Sequence, residues 1–453
     1  MPYTRRSGRP EASRSIGHVP IVENELVKER LRSFRIYMPE PLGDIGGDLL
    51  VPAESLGEPA AGGMHWVLSF DGSPHEVAVR DEYPSTRVDY VQIAGVLVHL
   101  DEMLGQGRAH LVDPSVIKLA TEESLHSMVL PGSNVCREDM NSVRDSWRAE
   151  VFEIFRDYTV EQTAYLTTFM DLVRFSDKVA AGSSVRLAHC AASDECRARD
   201  IDVPTHGLEC PGCGARLFPT DALRIHEEVS EEHTNETALG RLMTSLEHLT
   251  MVAYIDYLAK RKATTLSSVA FMLDGPLALF GPQAWLHNAI QGYLADLYEN
   301  LDRQGLRFPV VLGIEKRGQF AEHAVAMGDR ITPRSLMKLP DDYIYQHILT
   351  FRAPAGVSYG RDTYYGQKFF YRASQGQLFT ITVPKVTGAF ADQHEPRHYP
   401  TLPDTLALLD HVGTALYQDA AIPIALAHSF ASIPLRTGSR VLTLLSKHLL
   451  GQS

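Results

Sequence analysis

The chain has 453 residues, 44% of them hydrophobic and 22% charged, a balance that suits a folded water-soluble protein of one large elaborated domain or two. No run of about 18 apolar residues occurs, so a transmembrane helix is not expected, and the first residues (Met1-Pro-Tyr-Thr-Arg-Arg) lack an apolar signal core; a cytoplasmic protein with no membrane association is predicted. The formal net charge of −13 excludes a general electrostatic affinity for nucleic acid, so any phosphate contact must come from local basic clusters or bound cations.

Arg5, Arg6, Arg9 and Arg14 lie among Ser, Gly and Pro, the composition of a mobile arm. Leu26 to Tyr37 has the spacing of a short helix, and Pro39 to Glu58 reads as an irregular connection. Trp66-Val67-Leu68-Ser69-Phe70 then forms an apolar strand that ends in Asp71-Gly72-Ser73. Alternation in Glu76–Arg80 and the apolar run Val88 to Leu100 extend this into a strand hairpin that ends in helix, while Val116 to Leu130 and Val143 to Phe175 read as mainly helical.

The segment from 186 to 233 differs from its surroundings. Four of the five cysteines crowd into it, as Cys190-x5-Cys196-x13-Cys210-Pro-Gly-Cys213. A Cys-x2-Cys knuckle followed by Gly presents two thiolates on one turn, and a second pair completes the tetrahedron that zinc prefers. His189, His206 and His226 are alternative ligands. Four protein ligands close the coordination sphere, so this Zn²⁺ site is expected to be structural.

A long helix follows, with Asn235 as its N-cap, Leu239, Leu242, Leu246 and Leu249 on its apolar face, Glu247 beside that stripe and Lys260-Arg261-Lys262 at its end. Phe271-Met272-Leu273-Asp274-Gly275-Pro276 repeats the earlier pattern of an apolar strand delivering one carboxylate. A common Asp-Gly turn is the plainer reading of either motif alone. Phe308 to Ile314 is another buried strand, ending in Glu315-Lys316-Arg317. Tyr364 to Arg372 interleaves aromatic and basic residues, as base stacking beside phosphates requires and as a sheet edge also permits. Leu378 to Val383 reads as a strand and Asp404 to Tyr417 as a helix, and His428 stands within an apolar helical run.

The ordered set Asp71-Gly72-Ser73, Glu247, Asp274-Gly275-Pro276-Leu277, Lys368 to Tyr371 and Ala427-His428 resembles the NurA nuclease family, from about Trp66 onward. The resemblance does not include the cysteine segment, which looks like an inserted zinc ribbon. It implies an α/β fold with an RNase H-like mixed sheet flanked by helices, divided as an N-terminal arm and short helix (1–58), a nuclease core in two parts (59–185 and 234–453) and the inserted ribbon (186–233). It also implies a homodimer that acts on DNA ends with a HerA-type hexameric ATPase, in end processing or defence against foreign DNA.

Residue by residue, the resemblance makes Asp71, Glu247, Asp274 and His428 the ligands of catalytic Mn²⁺ or Mg²⁺ and places Lys368 and Tyr371 near the scissile phosphate. Asp256 and Glu315 are rivals for the third carboxylate, because Glu247 stands far from Asp274 in sequence. Hard oxygen donors plus one imidazole suit two-metal phosphodiester hydrolysis, and Lys316, Arg317, Lys368 and Arg372 could line the DNA groove. A catalytically silent DNA-binding or ATPase-coupling subunit is the alternative. An aspartyl-phosphate phosphatase is disfavoured, since neither Asp71 nor Asp274 is followed two residues later by a second Asp.

Overall fold

A computed structural model describes residues 18–35, 47–60, 63–104, 121–349, 357–387, 392–413, 421–434 and 437–450. The arginine-bearing arm and part of the connection after it lie outside these residues. After a single helical turn at Val19–Glu23, helix α1 (Glu25–Ser33) is capped by Asn24, whose Oδ1 accepts the Leu26 N–H at 3.0 Å. It ends earlier than its spacing suggests, because Phe34 has turned to extended backbone, and it buries none of its residues.

The fold is mixed α/β, built on a nine-stranded sheet flanked by helices. Its strands in chain order are β1 (Leu50–Pro52), β2 (Trp66–Ala78), β3 (Arg87–His99), β4 (Thr121–Pro131), β5 (Val269–Asp274), β6 (Val310–Glu315), β7 (Ser335–Lys338), β8 (Gly366–Arg372) and β9 (Leu378–Pro384). They lie in the spatial order β1-β7-β8-β9-β6-β5-β2-β3-β4. β5 is parallel to both β2 and β6, and these central strands are apolar on both faces, as strands covered by helices on two sides must be.

Two sequence expectations fail here for one reason, the pairing of β3 with both of its neighbours. Asp71-Gly72 is not a turn: β2 continues for 13 residues, paired with β3 from Trp66↔His99 to Ala78↔Arg87. Nor is the stretch before Leu130 helical among the described residues, because β4 pairs along the other side of β3 from Val98↔Thr121 to Val88↔Pro131. A continuous ladder satisfies every backbone donor and acceptor across the strands and overrides the helical spacing of the side chains. The aromatic-basic segment is also not a sheet edge, since β8 is hydrogen-bonded to β7 on one side and β9 on the other.

Helices α2 (Val143–Asp157), α3 (Tyr165–Val173) and α4 (Glu236–Arg261) pack on one face, where Phe70, Phe271 and Leu273 meet Leu246 and Leu249. The expected helix over 143–175 is broken by a short hairpin, Thr159–Val160 with Thr163–Ala164, in which Glu161 and Gln162 take positive φ. Asn235 stands at the N-cap position of α4, but its Oδ1 accepts the Ser230 N–H at 2.7 Å and makes no cap bond. α5 (Leu286–Arg303) joins the cluster that holds Phe70, and α6 (Gln319–Met327) packs with Met337 and Phe370. On the other face, Val67, Met272, Ile314, Phe369 and Tyr371 pack against residues of α7 (Leu402–Val412) and α8 (Ile422–Ala431). The cysteine segment has no separate core: Cys190, Ile201 and Leu217 join the cluster that holds Phe70 and Leu242. A buried ion pair between Arg148 on α2 and Asp221, 2.7 Å, ties it down. No helix among the described residues is long and apolar enough to cross a membrane.

Candidate active site

The last register pair between β2 and β5 is Phe70↔Leu273, so the next residues, Asp71 and Asp274, emerge side by side at the end of the parallel ladder. Side chains alternate along a strand, and both carboxylates therefore point to the face covered by α8. β5 stops at Asp274 because Gly275 takes φ of +141° and Pro276 follows. From there the chain folds back against Gly313 of β6, where any side chain would collide with the Gly275 carbonyl. The backbone thus turns away from the carboxylates, and a Cβ at Gly275 would meet nothing within 4 Å.

His428 comes from α8, which Ser69 anchors to β2 by donating to the Pro423 carbonyl at 2.7 Å. Its Nδ1 lies 2.7 Å from Asp71 Oδ2 and 3.9 Å from Asp274 Oδ2, and its side chain is 61% exposed. Lys316, one residue beyond β6, places Nζ 2.7 Å from Asp274 Oδ2. Glu247 approaches from the opposite face, on α4. Gly72 admits it, since a Cβ there would lie 2.8 Å from Glu247 Oε1.

The electrostatics mark a site in need of positive charge. Burial first, then the charge of Asp274, pushes the Asp71 carboxyl up to about 6 against the pull of its bond to His428. Glu247 is raised well above the usual carboxylate range by burial, Asp71 and Asp274, with partial compensation from the Gly72 backbone. Two buried acids raised by burial and by the charge of a neighbouring Asp274 are the arrangement that a divalent cation relieves. The ligand atoms of Asp71, Asp274 and His428 all lie within 4.8 Å of one another. One ion about 2.1 Å from each donor would need only small side-chain rotations. Glu247 is outside this group of three, but it interacts electrostatically with both aspartates.

The other sequence candidates stand elsewhere. Lys368 and Tyr371 project to opposite faces of β8 and cannot serve one phosphate together. Lys368 is 2% exposed, pairs with Glu315 at 2.5 Å and sits 3.6 Å above the Phe320 ring. Its pKa is lowered by burial, which Glu315 partly offsets. Tyr371 donates to Asp410 of α7 at 2.9 Å within the core. Glu315 is therefore committed to Lys368, and Asp256 to Lys260 at 2.7 Å. Arg372 is tied to the Gly328 and Ile331 carbonyls and to Asp329, so neither it nor Lys368 lines an open groove. Lys316 has a place in the cluster that no single motif signalled. The signal was the adjacency of parallel β5 and β6, which puts the residue after Glu315 beside the end of β5.

The four cysteines form a second cluster, their sulfurs all within 4.8 Å of one another and Cys190–Cys213 and Cys196–Cys210 both at 3.7 Å. Thiolates bound tetrahedrally at about 2.3 Å stand roughly 3.8 Å apart, so the spacing fits zinc. Burial raises the Cys210 thiol, but backbone N–H groups of Cys213 and Gly212 outweigh it and bring the group to about 7. Gly212 is required here, because a Cβ would lie 2.8 Å from Cys196 Sγ. His189, His206 and His226 are not among the four.

No protein-family model matches this chain, and no curated protein does. Among solved structures it is similar to the NurA nuclease from Sulfolobus solfataricus, at 9% identity over 97% of this chain and 96% of that one, with a TM-score of 0.36. A second NurA structure gives 12% identity, 96% coverage of each chain and 0.27; a third, of NurA bound to dAMP and manganese, gives 11%, 93% of each and 0.23. At such scores the side-chain geometry carries the functional reading.

Proposed function

We propose that the chain is a metal-dependent deoxyribonuclease that hydrolyses phosphodiester bonds. The observation behind this reading is the convergence of Asp71, Asp274 and His428 from three separate elements, with Glu247 buried behind them. Asp71 and Asp274 would hold one ion with His428, and Glu247 with the aspartates would serve a second. The imidazole tips the preference toward Mn²⁺ over Mg²⁺. The bound ions would supply Lewis acidity and a nucleophile at neutral pH.

The chain's own residues position that chemistry. The Asp71 to His428 bond fixes the ring, burial of Asp71 and Glu247 strengthens their fields, and the turn at Gly275-Pro276 leaves room for a phosphate. Ions at the acids also offset the net charge that would otherwise repel DNA. In our reading the enzyme is a homodimer that degrades strands from DNA ends and cuts single strands internally, beside a HerA-type hexameric ATPase, in end processing or defence against foreign DNA. The cysteine cluster holds a structural Zn²⁺.

Incubating the protein with end-labelled single- and double-stranded DNA and Mn²⁺, with and without the ATPase, tests the assignment. Cleavage that disappears in Asp274→Ala supports it. Absence of cleavage in every condition would overturn it in favour of a silent DNA-binding or ATPase-coupling subunit.

A further inference from the structure

The cation nearest the two aspartates is supplied by the chain itself. Lys316 Nζ is 2.7 Å from Asp274 Oδ2, the same oxygen that lies 3.9 Å from His428 Nδ1 and belongs to the proposed metal-binding set. A divalent ion about 2.1 Å from that oxygen would lie in or near contact with an ammonium held there. Two cations at that separation repel strongly in a partly buried site. The ammonium and the ion therefore compete for one carboxylate.

Lys316 also has somewhere to go. Its side chain lines a cavity of about 380 Å³ with Glu315, Ala321, Glu322, Val325 and Thr380, to which neither aspartate nor His428 contributes. Glu315 itself is held by Lys368, so the backbone that carries Lys316 is anchored while its own side chain is one-quarter exposed. The contrast between the two lysines is instructive: Lys368 is locked between a carboxylate and two aromatic rings, whereas Lys316 is held by Asp274 alone among its described ion-pair partners.

We propose that Lys316 is a displaceable counter-ion that neutralises Asp274 before metal binds and, once the ion displaces it, turns away from that carboxylate to hold a phosphate of the DNA. This inference rests on the metal site proposed above. It makes metal and DNA binding mutually supportive: the ion releases the ammonium, and the phosphate receives it.

The test is direct Mn²⁺ titration by calorimetry, without DNA, of the wild-type chain and of Lys316→Gln, Lys316→Arg and Asp274→Asn. Lys316→Gln is expected to bind Mn²⁺ about tenfold more tightly than wild type, as removal of a competing cation requires, and Lys316→Arg to stay near the wild-type value. In Ca²⁺, fluorescence anisotropy with a labelled DNA strand should show Lys316→Gln binding more weakly, its salt dependence reduced by about one phosphate contact. Unchanged Mn²⁺ affinity in Lys316→Gln, with binding still lost in Asp274→Asn, would overturn the counter-ion role while leaving the metal site intact. No Mn²⁺ binding by any of the four proteins would overturn the metal site itself. DNA affinity that is unaltered in Lys316→Gln would overturn the phosphate role.

Discussion

Two clusters of metal-binding residue types occur in this chain, and they are built in opposite ways. The four cysteines come from one stretch, Cys190 to Cys213, whose turns carry the sulfurs to their spacing on the edge of the main core. Asp71, Asp274 and His428 come from two strands and a helix spread over most of the sequence, and only sheet register and helix docking bring them together. A local cluster closes around its ion and serves stability. A cluster assembled at the ends of strands can remain open on one side, as the exposed His428 ring does, and an open side is what a substrate needs.

Removing an acid gives the largest expected effect. Asp274→Ala should lower Mn²⁺-dependent DNA cleavage by at least about a thousandfold, with little change in melting temperature, since a carboxylate set beside other carboxylates is no asset to the fold. A comparable activity in the variant would mean that chemistry occurs elsewhere. Next, Cys210→Ser should leave the purified protein short of its zinc and lower its melting temperature by roughly 10 °C. Brief chelation of the wild type should do the reverse, abolishing cleavage while elemental analysis still finds about one zinc per chain. Zinc lost as readily as activity would erase the distinction between the two clusters.

Glu247→Gln comes third, with an expected loss of about a hundredfold in cleavage and weaker binding of the second ion. Full activity would return the third carboxylate to its rivals. The smallest effect concerns acids with no metal at all. Asp89 is fully buried opposite Glu76 across the β2–β3 ladder, and neither carboxyl oxygen finds a donor. Burial, and then Glu76, push it up to about 8. Between the unfolded value of 3.8 and about 8 the folded chain holds more protons than the unfolded one, so stability falls as pH rises through that window. Asp89→Asn should flatten this decline and stabilise the protein by about 1 kcal/mol at pH 8, read as a higher midpoint in urea. Two buried acids without a third ligand hold a proton; three with a histidine have the donors for an ion.

The strand ends at Asp274 and Glu315 were legible from apolar runs followed by charge and Gly, as was the helix that carries Glu247. The ladder of β3 with β4 was not, because the spacing before Leu130 fits a helix until a neighbouring strand supplies hydrogen-bond partners. Lys368 and Tyr371 appeared equivalent in sequence, yet the two-residue period of β8 sends them to opposite sides of the sheet.

By itself, then, the sequence determined which chemistry was present: four cysteines suited to a metal and close enough along the chain to be recognised as a set, and several separated acids with one histidine. Tertiary structure decided which acids meet. Parallel pairing of β2 with β5 set Asp71 beside Asp274, the missing side chain of Gly72 admitted Glu247, and the end of β6 brought Lys316 onto Asp274. Those contacts depend on register and packing between strands and helices distant along the chain, and no local pattern of residues encodes them.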